Sequence, residues 1–317
     1  MRILVTGITG FAGGHLAEAL LVRGGADLVG VSRAGAWPEH WRHLAGRVAL
    51  RSCDLANGSA VEALLREVQP QQIYHMAGYA QVGASFREVD TAWAGNLTAT
   101  RSLYEAIHRW GGRPRVLYVG SGLIYGDPEK PGQAFAEDHP LRPTSPYASS
   151  KAAADLLSFQ MTRAPGLDIV RARPFNHIGP HQSPQFAVPH FAQQIAAIER
   201  RSQPPILETG NLTPWRDLSD VRDVVRAYTL LMDRGQNGEA YNIATGEVHS
   251  VKEVLDRLLA LANVQVEVRQ STHLIRPNDT PAVRGDAAKL RRETGWAPRF
   301  PLDQTLADTL AYWRQRV

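Results

Sequence analysis

Short apolar stretches alternate with amphipathic stretches through the first half of the chain. The apolar stretches are typical of buried strands and lie at residues 2–7, 26–31, 47–52, 72–77, 116–121 and 168–173. Between them, apolar positions recur with helical periodicity, for example at residues 15–23, 61–68 and 92–110. Strands that alternate with helices in this way predict βαβ units and a doubly wound parallel sheet of the α/β class.

The second half of the chain loses this alternation. Prolines interrupt its short helical patterns at positions 184, 189, 204, 205 and 214. Residues 263–270 alternate like a short strand, and residues 302–316 have the pattern of a terminal amphipathic helix. We predict a sheet domain and a smaller C-terminal α/β lobe that binds substrate, with a cleft between them. Their predicted extents are 1–170 with about 215–245, and 171–214 with 246–317.

Composition narrows the class of protein. The 317 residues are 44% hydrophobic and 21% charged, which is typical of a soluble globular protein. No apolar run approaches the ~18–20 residues of a membrane span, and the first residues form a strand pattern rather than a signal peptide. A single cysteine, Cys53, excludes an internal disulfide framework. We therefore expect a cytoplasmic protein without a membrane partner.

Charge and histidine content exclude two further classes. The net charge is +4, but the basic residues, mostly arginines, are spread along the chain rather than clustered as nucleic-acid binding requires. Arginine binds phosphates well, so a small anionic substrate such as a nucleotide diphosphate is the better interpretation. The 11 histidines are scattered without a ligand pattern, and we expect no metal site.

A glycine-rich turn follows the first predicted strand in the stretch TGITGFAGGHL. Gly7, Gly10 and Gly13 form GxxGxxG, and a helix is expected to begin at about Phe11. Glycine lets the backbone approach a pyrophosphate, and the helix N-terminus supplies N–H groups to it. Glycines also mark ordinary turns, but this strand–turn–helix context favours a Rossmann dinucleotide site. The predicted cofactor contacts here are the three glycines, Phe11 and Ala12.

The end of the second predicted strand indicates which dinucleotide binds. An acidic residue usually receives the ribose 2′-hydroxyl of NAD there, but this chain has Ser32 and Arg33. Arg33 can pair with a 2′-phosphate, which favours NADP(H), with NAD(H) possible; the alternative is an exposed loop arginine. Further cofactor contacts are predicted after the third and fourth strands, at Asp54, Leu55, Ala77 and Gly78.

The stretch SPYASSK places Tyr147 and Lys151 at i and i+4 on one face of a helix. Ser145 and Pro146 suit the start of that helix. A free tyrosine titrates near pH ~10, and a neighbouring ammonium lowers its pKa. We therefore expect a general acid–base pair, with Lys151 also holding the nicotinamide ribose. Ser121, at the end of the fifth strand, would give its hydroxyl to the same substrate oxygen.

Several motifs together resemble one family across almost the whole chain. GITGFAGGHL, IYHMAG, GSGLIYG, SPYASSK, RPFNHIGP, RDLSDVRDVV and RPND…TGWAP occur in the order found in extended short-chain dehydrogenases/reductases that act on nucleotide sugars. Within that family, RPFNHIGPHQ followed by FAQQI, and GNLTPWRDLSDVRD, most resemble the GDP-6-deoxy-D-mannose (GDP-4-keto-6-deoxymannose) reductases.

The resemblance implies roles for particular residues. It makes Ser121, Tyr147 and Lys151 catalytic, and it places Pro174 and Phe175 at the nicotinamide. It also implies a substrate site, with Asn176 on the sugar diphosphate and two arginines on the diphosphate or nucleoside. The implied substrate-binding residues are Ser85, Ser121, Asn176, Val188, Arg216, Arg276 and Asp279. A role in surface or interdomain salt bridges is the alternative for the two arginines.

The resemblance also implies a homodimer that is joined through the helices near 92–110 and 147–163. The apolar face AAADLL of the second helix is suited to such packing, although it could equally lie in the internal core.

One position, residue 123, helps to choose among the reactions that this family carries out. Family 4,6-dehydratases carry a carboxylate two residues after the catalytic Ser or Thr, but here that residue is Leu123, preceded by Gly122. Neither side chain can move a proton, although related reductases often carry Asp or Glu there too. We therefore expect NADPH-dependent reduction of a 4-keto group, with GDP-4-keto-6-deoxy-D-mannose as substrate and GDP-D-rhamnose as product. The alternatives are an NAD-dependent UDP-hexose 4-epimerase and a non-catalytic NADP-sensing regulator.

Overall fold

The structure is a computed structural model that describes residues 1–274 and 281–317. Strands and helices alternate through the first half of the chain, as expected. The strands are β1 Arg2–Thr6, β2 Asp27–Ser32, β3 Ala49–Ser52, β4 Gln72–His75, β5 Arg115–Val119, β6 Asp168–Pro174, β7 Asn176–Ile178, β8 Ile206–Thr209, β9 Trp215–Asp220, β10 Ala240–Ile243, β11 Val248–Ser250, β12 Glu267–Gln270 and β13 Ala282–Val283. The helices are α1 Phe11–Arg23, α2 Gly58–Val68, α3 Val89–Trp93, α4 Ala99–Trp110, α5 Pro146–Arg163, α6 Ala187–Glu199, α7 Val221–Arg234, α8 Val251–Ala260, α9 Ala288–Thr294 and α10 Leu302–Arg314.

Seven strands form one sheet in the order β10-β6-β5-β4-β1-β2-β3, and every neighbouring pair is parallel. The predicted doubly wound Rossmann sheet is therefore confirmed. The strand order reverses between β1 and β4, so a crevice opens where their carboxyl ends diverge. The residues that follow these two strands are the glycine turn and the Ala77–Gly78 pair, which meet at that crevice.

Helices cover both faces of this sheet, and the side chains of β1 show how. Ile3 and Val5 point into a core formed with α1 and α7, whereas Leu4 points into a second core formed with α2, α4 and α5. Successive side chains of a strand face opposite sides, and both sides here are buried. This is why the strands of the first half read as continuous apolar runs in the sequence.

The second lobe is built on a smaller sheet. Strands β11, β9 and β13 are neighbours in it, and β7 pairs with the other end of β9. Strands β8 and β12 form a separate parallel pair, and α6, α8 and α10 pack around a third apolar core. The predicted strand near 263–270 is β12, and the predicted terminal helix is α10. Within the range 215–245 that was predicted to belong to the first domain, β9 is part of the small sheet, β10 is part of the large sheet and α7 packs on the large sheet. The domain division itself stays a prediction.

The helix predicted over 92–110 is longer and interrupted. It begins with α3, passes through a π-helical turn over Ala94–Thr98 and continues as α4. Such π turns are rare and often lie at functional sites. The turn carries Asn96, whose side chain is buried. Within the described parts of the chain, no helix has the length and apolar character that crossing a membrane requires.

Candidate active site

The glycine turn between β1 and α1 has the geometry of an anion-binding loop. Gly7 has φ +70°, and a Cβ there would lie 2.8 Å from the backbone nitrogen of Ala77. The N–H of Gly10 donates to the carbonyl of Gly7 at 3.0 Å, and α1 begins at Phe11. No side chain of the described residues caps α1, and its first turn holds no acidic residue. The N–H groups of Phe11 and Ala12 therefore suit a pyrophosphate.

The third glycine has a structural role in addition to its predicted cofactor contact, which stays a prediction. A Cβ on Gly13 would lie 2.2 Å from the carbonyl oxygen of Gly7 and 2.8 Å from the Cα of Ile8. It would collide with the turn itself, within the protein. Gly13 therefore allows α1 to pack closely on its own turn, and it keeps the pyrophosphate loop in shape indirectly.

The residues that follow β2 lie at the surface. Arg33 is exposed, and Ser32 is half-buried with its hydroxyl accepting the N–H of Gly35 at 3.0 Å. The guanidinium is therefore placed on a turn at the carboxyl edge of the sheet, with no acidic neighbour in the sequence 32–38. This placement fits a 2′-phosphate, although it is equally that of the exposed loop arginine left open above.

The ends of β3 and β4 supply the remaining predicted cofactor residues. Asp54 is exposed, and one of its carboxylate oxygens accepts the N–H of Ala56 at 3.0 Å, while Leu55 is buried in the core. Ala77 lies against Gly7. Gly78 lies over the side chain of Lys151. Ala77 and Gly78 border the crevice between β1 and β4, whereas Asp54 and Leu55 follow the edge strand β3. The contacts of all four with a cofactor stay predictions.

Lys151 lies below the turn that follows β4. A Cβ on Gly78 would be 3.2 Å from its ammonium nitrogen, so a larger residue would press on that group. The Nζ atom donates to the carbonyl of Val119 at 2.9 Å. Burial lowers the pKa of Lys151 to about 8. The ammonium therefore loses much of its usual preference for the charged form.

Tyr147 lies in the first turn of α5, which starts as predicted. The hydroxyl of Ser145 accepts the N–H of Ala148 at 3.1 Å, and Pro146 occupies the first helical position. Burial raises the pKa of Tyr147, and a hydrogen bond with Ser121 acts in the opposite direction. Lys151 is not among the causes of this shift. The expectation that its ammonium lowers the tyrosine pKa is therefore wrong for the chain by itself.

A raised pKa has a direct chemical consequence. At neutral pH the Tyr147 hydroxyl keeps its proton, and it touches the hydroxyl of Ser121. Ser121 is buried and caps the short turn that follows β5, where its Oγ accepts the N–H of Leu123 at 3.1 Å. The pair is thus arranged to donate hydrogen bonds, and finally a proton, to one oxygen atom of a ligand.

Ser85 has a structural contact in addition to its predicted role. It is fully buried, its Oγ donates to the carbonyl of Val82 at 2.6 Å, and it accepts the backbone N–H of Tyr147 at 3.2 Å. Both contacts hold the first turn of α5 in place. Its predicted contact with substrate stays a prediction.

Phe175 follows Pro174 at the end of β6 and is buried. A Cβ on Gly122 would be 2.7 Å from its ring, and one on Gly285 would be 2.8 Å from the same ring. Two glycines thus bracket the ring, which lies beside the turn that holds Ser121. The resemblance implies a contact between this ring and the nicotinamide, and that role stays a prediction.

Three of the predicted substrate residues lie in β7, α6 and β9. Asn176 begins β7 and is half-buried, and Val188 is buried near the start of α6. Arg216 is in β9, where its guanidinium donates to the carbonyl of Trp215 at 2.9 Å. Two predicted residues lie outside the described part of the chain, Arg276 and Asp279.

Sequence reasoning missed Asn96, on the π-helical turn. Its Oδ1 accepts the N–H of Tyr79 at 2.9 Å, and its Nδ2 donates to Ser150 Oγ at 3.0 Å. A Cβ on Gly78 would lie 2.6 Å from that Oδ1, so Asn96 and Lys151 support the same turn. The available signal is the Gly95-Asn96 pair, since both are poor helix formers within a helical pattern.

Metal chemistry finds no support in the side-chain arrangement. Among residues 1–274 and 281–317, no group of three or more His, Cys, Asp or Glu side chains is placed to hold a metal ion.

Comparison with known proteins identifies the family. The model of the GDP-mannose 4,6 dehydratase family matches residues 4–309. A GDP-6-deoxy-D-mannose reductase from Pseudomonas aeruginosa is 33% identical, with 100% of this chain and 98% of the relative covered. The structure of RMD from the same species, complexed with NADPH, has a TM-score of 0.85 at 32% identity and covers 100% of this chain and 99% of that chain. A UDP-glucose 4-epimerase from Thermus thermophilus, complexed with NAD, has a TM-score of 0.89 at 30% identity and covers all of both chains.

The sequence resemblance to extended short-chain dehydrogenases/reductases is thus confirmed. Its relatives include reductases, dehydratases and epimerases of nucleotide sugars, so the fold and the overall likeness do not select one reaction. The chain is an enzyme of the GDP-mannose 4,6 dehydratase family, within the extended short-chain dehydrogenases/reductases that modify nucleotide sugars.

Proposed function

We propose that the enzyme uses NADPH to reduce the 4-keto group of a nucleotide-linked 4-keto-6-deoxyhexose. The proposed substrate is GDP-4-keto-6-deoxy-D-mannose and the product GDP-D-rhamnose. The observation that carries this proposal is the protonated Tyr147 beside Ser121, with the apolar Leu123 at the position where the dehydratases carry a carboxylate. The full-length similarity to a GDP-6-deoxy-D-mannose reductase supports the choice of substrate.

The residues of the crevice fit the cofactor and have separate roles in the reaction. The glycine turn and the N-terminus of α1 would hold the pyrophosphate, and Arg33 the 2′-phosphate. NADPH supplies the hydride when it is bound. Ser121 and Tyr147 orient the ketone oxygen, and Tyr147 donates its proton to that oxygen as the alcohol forms. Lys151 would bind the ribose hydroxyls, which would be polar partners of its buried ammonium in addition to the carbonyl of Val119.

Leu123 is the reason to set dehydration aside. Removal of water from the sugar needs an acid and a base beside the catalytic hydroxyls. Leu123 packs against the apolar core of the large sheet and contributes only its N–H to Ser121. Gly122, the residue before it, is in contact with Phe175 and leaves no space for a larger side chain. A simple ketone reduction needs neither group.

A 4-epimerase is the second candidate, because the Thermus UDP-glucose 4-epimerase matches the whole chain with a TM-score of 0.89. An epimerase would also use Ser121, Tyr147 and Lys151, but it would retain NAD(H) and return the hydride to the same sugar. The deciding experiment is NADPH consumption with freshly made GDP-4-keto-6-deoxy-D-mannose, with product configuration determined by NMR. Stoichiometric consumption with a rhamno product supports the reductase. No consumption, together with NAD(H) released from the denatured protein, would favour the epimerase and UDP-hexoses.

Replacing Arg33 with Ala should weaken NADPH binding roughly 10- to 100-fold, because a charge-assisted contact typically contributes ~1.5–3 kcal/mol. NADH lacks the 2′-phosphate, so its affinity should stay within about two-fold. Fluorescence titration measures both dissociation constants. Arg51→Ala is the matched control, since it also removes one exposed arginine, whose partner is Glu67 at 2.9 Å. Equal losses of NADPH and NADH affinity in the Arg33 variant would refute the cofactor assignment.

We also propose a homodimer joined through the helices near 92–110 and 147–163, which are the end of α3 with α4, and α5. Helix α5 buries Ala148, Ala152 and Ala154 but leaves Leu156 57% and Phe159 39% exposed, and Val89 at the start of α3 is 40% exposed. The helix thus has an internal face and a separate apolar outer face, which suits a second copy of the chain. Leu156→Asp should convert a dimer of about twice 34.9 kDa into a monomer, as measured by light scattering. Val22→Asp, which places the same charge on an apolar side chain of α1 that is 88% exposed, should leave the mass unchanged. A monomeric wild type would exclude this interface.

A further inference from the structure

The carboxylate of Asp217 in β9 collects four hydrogen bonds in a buried position. Its Oδ1 accepts the N–H of Thr245 at 2.9 Å and the hydroxyl of the same residue at 2.7 Å. Its Oδ2 accepts the N–H of Gly246 at 2.9 Å and of Gly285 at 3.2 Å. Only 1% of Asp217 is exposed, and burial raises its pKa while these hydrogen bonds act against that shift.

The four donors come from both sheets of the molecule. Thr245 and Gly246 directly follow β10, the edge strand of the large sheet. Gly285 follows β13, which pairs with β9 in the small sheet through only two residues, Ala282 and Val283. The carboxylate therefore fastens the end of the large sheet to two strands of the second lobe at a single point.

This point lies between the two halves of the candidate site. Gly285 is so close to Phe175 that a Cβ would be 2.8 Å from the ring, and 2.4 Å from the Cβ of Ala244. On the other side, Arg216 is the residue before Asp217 and lies opposite Val283 in the sheet. A shift of β9 against the 244–246 turn would therefore change the separation between Arg216 and Phe175.

We propose that Asp217 is a positioning residue, which holds β9 and Arg216 at a fixed place relative to Phe175 and thereby sets the affinity for the nucleoside diphosphate part of the substrate. This rests on the proposed function, because it assigns Arg216 to the diphosphate. Hydrogen bonds from N–H groups to a buried carboxylate are strong and directional, so four of them define one position of the strand.

A purely structural carboxylate elsewhere in the chain provides the control. Asp223 of α7 is also fully buried and accepts two backbone N–H groups, from Arg299 at 2.7 Å and Phe300 at 2.9 Å. It also pairs with Arg226 at 2.9 Å. These contacts fasten the C-terminal segment to α7, and none of them involves a residue of the candidate site.

The test compares wild type with Asp217→Asn and Asp223→Asn. In either variant an amide N–H₂ replaces one acceptor oxygen and faces N–H donors that it cannot satisfy. Calorimetric titration measures the affinity for GDP, UDP and dTDP, fluorescence measures the affinity for NADPH, and thermal unfolding measures stability. We expect Asp217→Asn to weaken binding of the preferred diphosphate at least 10-fold and NADPH less than two-fold. We expect Asp223→Asn to lower the melting temperature without changing diphosphate affinity.

A milder variant covers the case in which Asp217→Asn does not fold. Thr245→Val removes only the hydroxyl donor and should weaken diphosphate binding about three-fold. Diphosphate affinity within two-fold of wild type in either variant at the Asp217 contact, or an equal loss in Asp223→Asn, overturns the proposal. If wild type binds UDP or dTDP and fails to reduce the GDP-linked ketone, the proposed function is wrong. The ratio of diphosphate affinities between wild type and Asp217→Asn then still decides the role of Asp217. If wild type binds none of the three diphosphates, both proposals are overturned.

Discussion

Replacing Tyr147 with Phe should lower kcat by roughly 10²–10⁴-fold, the usual contribution of a well-placed general acid. The phenol is the group that keeps a proton next to Ser121, because burial raises its pKa. The hydroxyl of Ser121 is a much weaker acid than a phenol, so it cannot replace Tyr147 as the proton donor. The backbone contact of residue 147 with Ser85 does not involve the ring, so the start of α5 should keep its position. Steady-state kinetics with the keto-sugar and NADPH titration by fluorescence measure the two effects.

NADPH affinity in the Tyr147 variant should stay close to wild type. The matched control is Tyr104→Phe in α4. It removes a buried hydroxyl that contacts Ser158 of α5, the helix that carries Tyr147, at 2.7 Å. That hydroxyl faces the core of the large sheet, so kcat should not change. A Tyr147→Phe enzyme that loses NADPH affinity as strongly as kcat would contradict the acid role.

Replacing Asp155 with Ala should destabilise the protein by about 3–5 kcal/mol, the usual cost of removing one partner from a buried ion pair. Its fully buried carboxylate accepts from Arg171 at 2.6 Å and from Arg173 at 2.7 Å and 3.2 Å. Both arginines are buried in β6, and the substitution leaves their charges without an anion. Urea denaturation, with the midpoint and slope fitted together, measures the loss.

An exposed ion pair is the control for the effect of burial on this loss of stability. Glu67→Ala removes the partner of Arg51, where both side chains are about half exposed, and such pairs typically contribute ~0–1 kcal/mol. Asp155→Asn keeps the shape and should fall between the two, which preserves the test if the Ala variant does not accumulate. A loss below about 1 kcal/mol for Asp155→Ala would mean that solvent reaches the two guanidinium groups. Asp155 lies one helical turn after Lys151, so the same variant should also lower kcat.

The large sheet could be predicted because buried parallel strands are apolar on both faces. All six strands of the first half were recognisable in this way. Strand β10, with the sequence AYNI, was not, because it is short and its Asn242 serves buried hydrogen bonds with Tyr125 and Phe135. Strands β7 and β9 carry His, Asp, Arg and Ser, since they pair inside a small sheet that is stabilised partly by polar contacts such as those of Asp217.

The candidate site was predictable where local spacing defines it. Tyr147 and Lys151 share a helix face at i and i+4, and their joint position follows from that spacing alone. The position of the ammonium at the Val119 carbonyl was not predictable, because it depends on the depth of the crevice. The same depth raises the pKa of Tyr147 rather than lowering it. Asn96 was missed because a single π turn inside a helix is too short to give an apolar pattern of its own.

The late position of β10 in the chain affects how the protein is made on the ribosome. The chain supplies β1 to β6 by residue 174, but β6 pairs with β10, which begins only at residue 240. Until then β6 presents an open sheet edge, and Arg171 lacks its contact with the carbonyl of Gly238. At ~5–20 residues per second, some 70 residues take several seconds to add. Throughout that interval the nascent chain carries an unpaired parallel edge that a neighbouring nascent chain can extend.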